Sequence, residues 1–540
     1  MSGEMDSRLA IDTTVLLLYF VVIISIGLYM GRKEESLKDF ALGGRRIPWW
    51  AVFASLIAAE TSAGTFFGTP GEGFSHRDYT YLQLAFGTIL GRILVSYIFI
   101  KPYYDYNVYS IYEYLTARFG VPTKNAASAI FMITRVLASG ARLYAAAIAL
   151  VLAYEMIRGV QPGQKETLFI YVGSTAAIVI LTAIYTTFGG IKAVIWTDLI
   201  QASIMIGSAL IALALLYFAI PGGWHEIVQR HGAFQISDLI TTGLDPAKHG
   251  WDKIKSMFET EYTIFAGLIG AAFITMGTHG TDQDMVQRLL TAPDIRRSRR
   301  SLISSALADI PIAFTFLSIG LLLWVYYQAH PDPTLPKTPN ETFCHFILYQ
   351  MPVGLRGLLI AGIFATAMGS LSTAINALAT SFTRDWYEPY INPQSTEEQS
   401  LRAVRWATVW FSVLMIVVAS TTSYLVIVHP NVRIIPIVLG IFGYTYGSLL
   451  GVFLCGMFTK RRGNDFGNII AMIMGFIVVA ILSGLPNKIA SLFGGKVYMQ
   501  PGWLPVMEFP WWICFGTIAT FSIAILFKTT RDHRPPVSAG

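Results

Sequence analysis

Ser55-Leu56-Ile57-Ala58-Ala59-Glu60-Thr61-Ser62-Ala63-Gly64-Thr65 sets a carboxylate and a run of hydroxyls inside an otherwise apolar stretch of membrane-spanning length. A helix that invites backbone exposure at bilayer depth is tolerated where it lines a water-filled path. Carbonyl oxygens freed by such an interruption can hold a cation near the midplane. This stretch therefore predicts a membrane transporter with a broken helix.

The rest of the chain places that helix in a membrane. Of 540 residues, 54% are hydrophobic and 13% charged, and the mean hydropathy is +0.53. That leaves too little polar surface to solvate a soluble fold of this size. The net charge of +6 is spread between apolar stretches rather than gathered in a patch, which argues against a nucleic-acid partner. Cys344, Cys455 and Cys514 are widely spaced and carry no disulfide, metal or redox pattern. The nine histidines, His76, His279 and His345 among them, show no metal-centre spacing. No catalytic triad, phosphate-binding glycine loop or cofactor signature occurs, so enzyme activity is not expected.

Thirteen spans are predicted, at about 11–31, 48–68, 80–100, 127–156, 168–188, 193–220, 262–280, 302–328, 355–383, 402–428, 433–458, 466–484 and 510–528. The first has no small-residue cleavage site and is followed by Arg32 and Lys33, so it reads as retained. With the N-terminus outside, about 23 of the 39 Lys and Arg fall in inner loops and about 13 in outer segments. The dense loops Arg296-Arg297-Ser298-Arg299-Arg300 and Lys460-Arg461-Arg462 then lie inside, with the C-terminal tail. Outer loops at about 221–261, 329–353 and 485–509 are rich in Gly, Pro and Trp and are expected to hold short surface helices.

Four further charged residues fall within spans. Arg142, in Ser139-Gly140-Ala141-Arg142-Leu143-Tyr144, is costly in a helix of Ala and Leu unless it is paired. Its planar donors suit a carboxylate, either that of an anionic substrate or that of Glu60. Asp198 wants a cation or hydrogen-bond donors, unless it is a helix-end carboxylate wetted at the cytoplasmic face. Arg92 and Arg135 read as snorkelling or structurally paired. Gln83 is a possible polar contact, whereas Asp282, Gln283 and Asp284 read as solvated loop residues. Phe66, Phe67 and Tyr144 read as packing before gating, and Trp49, Trp50, Trp196, Trp503, Trp511 and Trp512 as interfacial anchors.

Several stretches resemble the sodium:solute symporter family, which includes sodium/glucose, sodium/galactose, sodium/proline and bacterial sialic acid transporters. These are Ser55 to Ala63, then Tyr112-Glu113-Tyr114-Leu115 with Ala117-Arg118-Phe119. Gly189-Gly190 before Val194-Ile195-Trp196-Thr197-Asp198, Gln287-Arg288, and Gly369-Ser370-Leu371-Ser372-Thr373-Ala374-Ile375-Asn376 follow in the same order. Glu60 stands where the bacterial galactose member has asparagine. The resemblance implies a leucine-transporter-like fold, an all-α integral membrane protein with a 5+5 inverted repeat, one extra N-terminal helix and two extra C-terminal helices. It implies a main sodium site at Ala58, Thr61, Thr366, Gly369 and Ser370, where Gly369 replaces a hydroxyl residue common in the family. Water or Glu60 would then substitute for the missing ligand. A second site at Asp198, Ser372 and Thr373 matches the extra site of the sialic acid transporter. Arg142 falls where that transporter has its carboxylate-binding arginine, and Ser62 and Thr65 match substrate contacts. Candidate substrate residues are therefore Glu60, Ser62, Thr65, Gln83 and Arg142.

The expected organisation is one transmembrane domain over 1–540. It comprises a first span at 11–31, five-helix repeats at 48–220 and 262–458, and C-terminal spans within 466–528. The expected activity is sodium-coupled import of a small hydrophilic organic anion, a sugar acid or monocarboxylate, with a neutral sugar or polyol as the alternative. A sensor or channel on the same fold is the competing class, and the short C-terminal tail disfavours a sensor. Expected partners are the substrate, Na⁺ as coupling ion and the bilayer of the cell membrane, with no organic cofactor, nucleic acid or obligate protein partner.

Overall fold

The computed structural model describes residues 2–32, 36–158, 162–232, 234–428, 434–492 and 501–529. The end of the basic tail and the middle of the loop at 485–509 lie outside the described residues. Apart from an isolated bridge between Arg462 and Lys528, the described elements are helical.

The principal helices are α1 (Ser2–Met30), α2 (Trp49–Glu60), α3 (Ala63–His76), α4 (Gln83–Ile98), α5 (Val121–Arg158), α6 (Gln164–Ala219) and α7 (Ala271–Gly280). They continue as α8 (Gln283–Leu290), α9 (Ile295–Ala329), α10 (Leu355–Phe382), α11 (Glu397–Val428), α12 (Ile434–Phe458), α13 (Asp465–Leu482) and α14 (Pro510–Ala524). Among the described residues, nine helices are long and apolar enough to cross a membrane, and the bent pair α2 and α3 makes a tenth. The chain is thus a multi-pass membrane protein.

The difference from thirteen spans has local causes. Predicted spans five and six run together as α6, 56 residues long, with one break in its dihedrals at Gly190 (φ 51°, ψ −154°). Only glycine adopts that backbone cheaply, and a Cβ there would stand 2.6 Å from the Phe40 carbonyl oxygen. The seventh predicted span is a five-residue π-turn followed by the ten residues of α7, and the last is the 15-residue α14. Both are too short to cross unaided.

The decisive break is between α2 and α3, whose axes differ by 64°. Thr61 and Ser62 are non-helical, with ψ of 85° and 169°. Hydroxyl-bearing residues compete poorly for helix, and two in succession interrupt the ladder. The Ser62 N–H, which in a continuous helix would bond Ala58 O, donates to Glu60 O instead at 2.9 Å. Ala58 O is thereby released.

α3 is held against α9 by backbone contact. A Cβ at Gly320 would stand 2.0 Å from Pro70 O, and one at Gly73 would stand 2.3 Å from Leu317 O. Small residues provide this close approach where no hydrophobic force distinguishes helix from lipid. α10, the most enclosed long helix, packs against α6, α5 and α2, while α12, α13 and α14 gather at one side. The long loops hold short helices at Trp224–His231, Gly250–Phe258, Pro339–Gln350 and Leu485–Leu492.

Candidate substrate and cation site

Two ends of the broken helix face two different chemistries. The C-terminal carbonyl end of α2 carries partial negative charge, and the N-terminal amide end of α3 carries partial positive charge. Ser62 and Ala63, at the start of α3, line a narrow cavity with Ser139 and Arg142 of α5 and Ala367 and Ser370 of α10. Its free space, about 10 Å³, holds roughly one water, so a larger ligand requires the helices to separate.

Arg142 has no carboxylate or hydrogen-bond partner among the described residues; its guanidinium lies over the Phe442 ring at 4.7 Å. The sequence offered Glu60 as an internal partner, and the fold gives Glu60 to another arginine. Arg92 Nη2 donates to both Glu60 oxygens at 2.5 Å and to Asp309 Oδ2 at 2.6 Å, while its Nη1 donates to Ser305 Oγ at 2.7 Å. His279 Nε2 contacts Glu60 as well. The reason is rotational: Glu60, the last residue of α2, points toward α4 and α9, away from α5.

Arg135, two turns before Arg142, is paired with Asp282 and, at 3.0 Å, with Asp284. Asp282, Gln283 and Asp284 are 0%, 0% and 3% exposed, which corrects their reading as solvated loop residues. The chain re-enters helix there, with Asp282 capping α8 by accepting from Asp284 N at 2.9 Å. Gln283 is fixed by Ile111 N and Tyr109 O. Tyr446 also donates to Asp282.

A cation-compatible region lies on the other side of the helix break. Asp198 is fully buried, and its Oδ2 accepts from Ser55 Oγ at 2.6 Å, with Arg288 Nε 3.8 Å away. Burial excludes the wetted helix-end reading. Its Oδ1 has no hydrogen-bond partner among the described residues. A Cβ at Gly369 would stand 3.5 Å from both Asp198 Oδ1 and the released Ala58 O, so the two predicted cation sites adjoin at this glycine.

The hydroxyls of α10 bond backward along their own helix. Thr366 donates to Ile363 O, Ser370 to Thr366 O or Ala367 O, and Ser372 and Thr373 to Gly369 O. A hydroxyl that spends its proton this way keeps lone pairs for a hard cation.

Thr61 sits at the break. Thr65 lies in the first turn of α3 but does not line the cavity. Gln83 is placed elsewhere, buried at the start of α4 and bonded to Thr80 O, Tyr262 O and Thr241 N. Phe66 packs among Phe67, Phe316 and Phe343. Sequence reading overlooked Asp309, although the rule that singled out Glu60 applies equally to a carboxylate within the apolar run of α9.

A multi-pass helical protein with a broken span, an unpaired arginine on one side of the break and unpaired oxygens on the other is a cation-coupled secondary transporter. Residues 40–475 match the sodium:solute symporter family, and the chain belongs to it. The sodium/sialic acid symporter of Proteus mirabilis is 30% identical over 87% of this chain and 88% of its own, and that of Aliivibrio fischeri 30% over 85% of each. A solved substrate-bound, outward-open structure of a Na⁺-coupled sialic acid symporter superposes with a TM-score of 0.78 at 26% identity, covering 96% of this chain and 99% of that one. Sodium is the coupling ion.

Proposed function

We propose that this symporter carries a sugar acid of the sialic acid type into the cell, clamping its carboxylate with Arg142. The observation that carries the reading is the Arg142 guanidinium, without an anion among the described residues and facing the amide end of α3 across the cavity. A carboxylate there meets two planar donors and the helix N-terminus together. The likeness to the two sialic acid symporters supports the same substrate class.

The main sodium site is assigned to Ala58, Thr61, Thr366, Gly369 and Ser370, and a second to Asp198, Ser372 and Thr373. Glu60 and Gln83 act at a distance from the cavity, while Ser62 contacts substrate. Residues 48–220 and 262–458 form the two inverted five-helix repeats, with the N-terminus outside and the C-terminus in the cytoplasm. Sodium between the α2 end and α10 favours the form in which the α3 end and Arg142 present a complete pocket. Coupling is then the difference in affinity between two conformations.

Uptake into proteoliposomes tests this. A sodium gradient should drive saturable accumulation of sialic acid, while a potassium gradient should not. Accumulation of a short monocarboxylate or a neutral sugar in preference to sialic acid would refute the substrate assignment. Ser370→Ala should raise the sodium concentration for half-maximal uptake about tenfold, the worth of one cation ligand at about 1.4 kcal/mol. An unchanged sodium dependence would remove Ser370 from the site.

A further inference from the structure

The family's hydroxyl is missing at position 369, and the space it would fill is not empty of oxygen. The point where a Cβ at Gly369 would stand is 3.0 Å from Gln201 Oε1, closer than to Ala58 O or Asp198 Oδ1 at 3.5 Å each. Gln201 lies one turn beyond Asp198 on the same face of α6. It is 1% exposed, and its Oε1 has no hydrogen-bond partner among the described residues. Tyr19 and Tyr185 stand beside the amide, where phenol oxygens can receive its N–H groups and keep Oε1 turned toward α10.

We infer that Gln201 is a sodium ligand, its side-chain carbonyl replacing the hydroxyl absent at Gly369. This rests on the sodium site proposed above and names a ligand which neither the sequence motif nor the second site contains. A buried amide oxygen without a donor is destabilising, and so is a buried carboxylate oxygen without one. A monovalent cation ringed by Gln201 Oε1, Asp198 Oδ1 and Ala58 O satisfies all three oxygens.

Charge points the same way. The buried network holds two guanidiniums, Arg135 and Arg288, against three carboxylates, Asp198, Asp282 and Asp284. Arg288 Nη1 bonds Asp284 Oδ1 at 2.8 Å, leaving Asp198 the least neutralised of the three. One sodium ion at Asp198 brings the network to zero. Gly369 is then small for a reason: a side chain there would push against the amide oxygen that has taken over its role.

Sodium-dependent thermal stabilisation of the purified, full-length protein tests the assignment without transport, with choline chloride holding ionic strength constant. Gln201→Ala should raise the half-maximal sodium concentration about tenfold while leaving the melting temperature in choline close to that of wild type, because the amide oxygen has no donor among the described residues of the sodium-free protein. Gly369→Ser in the Gln201→Ala background restores a hydroxyl into the vacated space and should return the sodium dependence to within about threefold of wild type. A double variant no better than Gln201→Ala would overturn the inference. So would a wild-type sodium response in Gln201→Ala, with the rest of the site left standing. If the wild-type protein showed no sodium-specific stabilisation, the sodium site itself would fall with it.

Discussion

Arg142→Ala is expected to weaken sialic acid binding by about 100-fold while leaving sodium-dependent stabilisation in place. Each charge-assisted hydrogen bond to a carboxylate contributes about 1.5–3 kcal/mol, so a two-pronged clamp reaches about 3 kcal/mol. The variant should fold at least as well as wild type without substrate, because no carboxylate among the described residues depends on this guanidinium. Arg142→Lys keeps the charge but loses the planar fork, and should recover only part of the affinity. Isothermal titration with sialic acid in saturating sodium reads both effects. Undiminished affinity in Arg142→Ala would dismiss the clamp.

The second large effect is on folding. Arg92→Met removes the cation shared by Glu60 and Asp309 and leaves two carboxylates facing each other within the bundle. Breaking such a buried network at its centre costs about 3–5 kcal/mol. The variant should therefore lose most of its monodisperse peak on size exclusion and melt well below wild type. Adding Glu60→Gln and Asp309→Asn removes both uncompensated charges and should restore most of that loss. A stable single variant would show that His279, which also contacts Glu60, is enough to balance the site.

Arg92 and Arg142 look alike in sequence: each is one arginine in an apolar helix. Their difference is a matter of rotation about helix axes that no local pattern contains. Glu60 ends α2 on the side facing α4 and α9, so Arg92 receives both carboxylates and Arg142 receives none. Asp282 and Asp284 follow a similar logic. Their polar stretch reads as loop, yet Asp282 caps a new helix tucked beneath Arg135, and burial follows from the pairing.

Membrane residence, the helical class and the break after Glu60 were all determined by sequence. Apolar length forces the spans, and consecutive hydroxyl residues in one of them compete for the backbone. The family motif also brought forward Ala58, Asp198 and Gly369. Only the tertiary structure decided which charges remain unspent, because pairing depends on how α2, α5, α6 and α10 are turned toward each other. It left Arg142 without a carboxylate among the described residues on one side of the break, and it brought Gln201 to the space beside Gly369, where a missing side chain on one helix is answered by an oxygen from another.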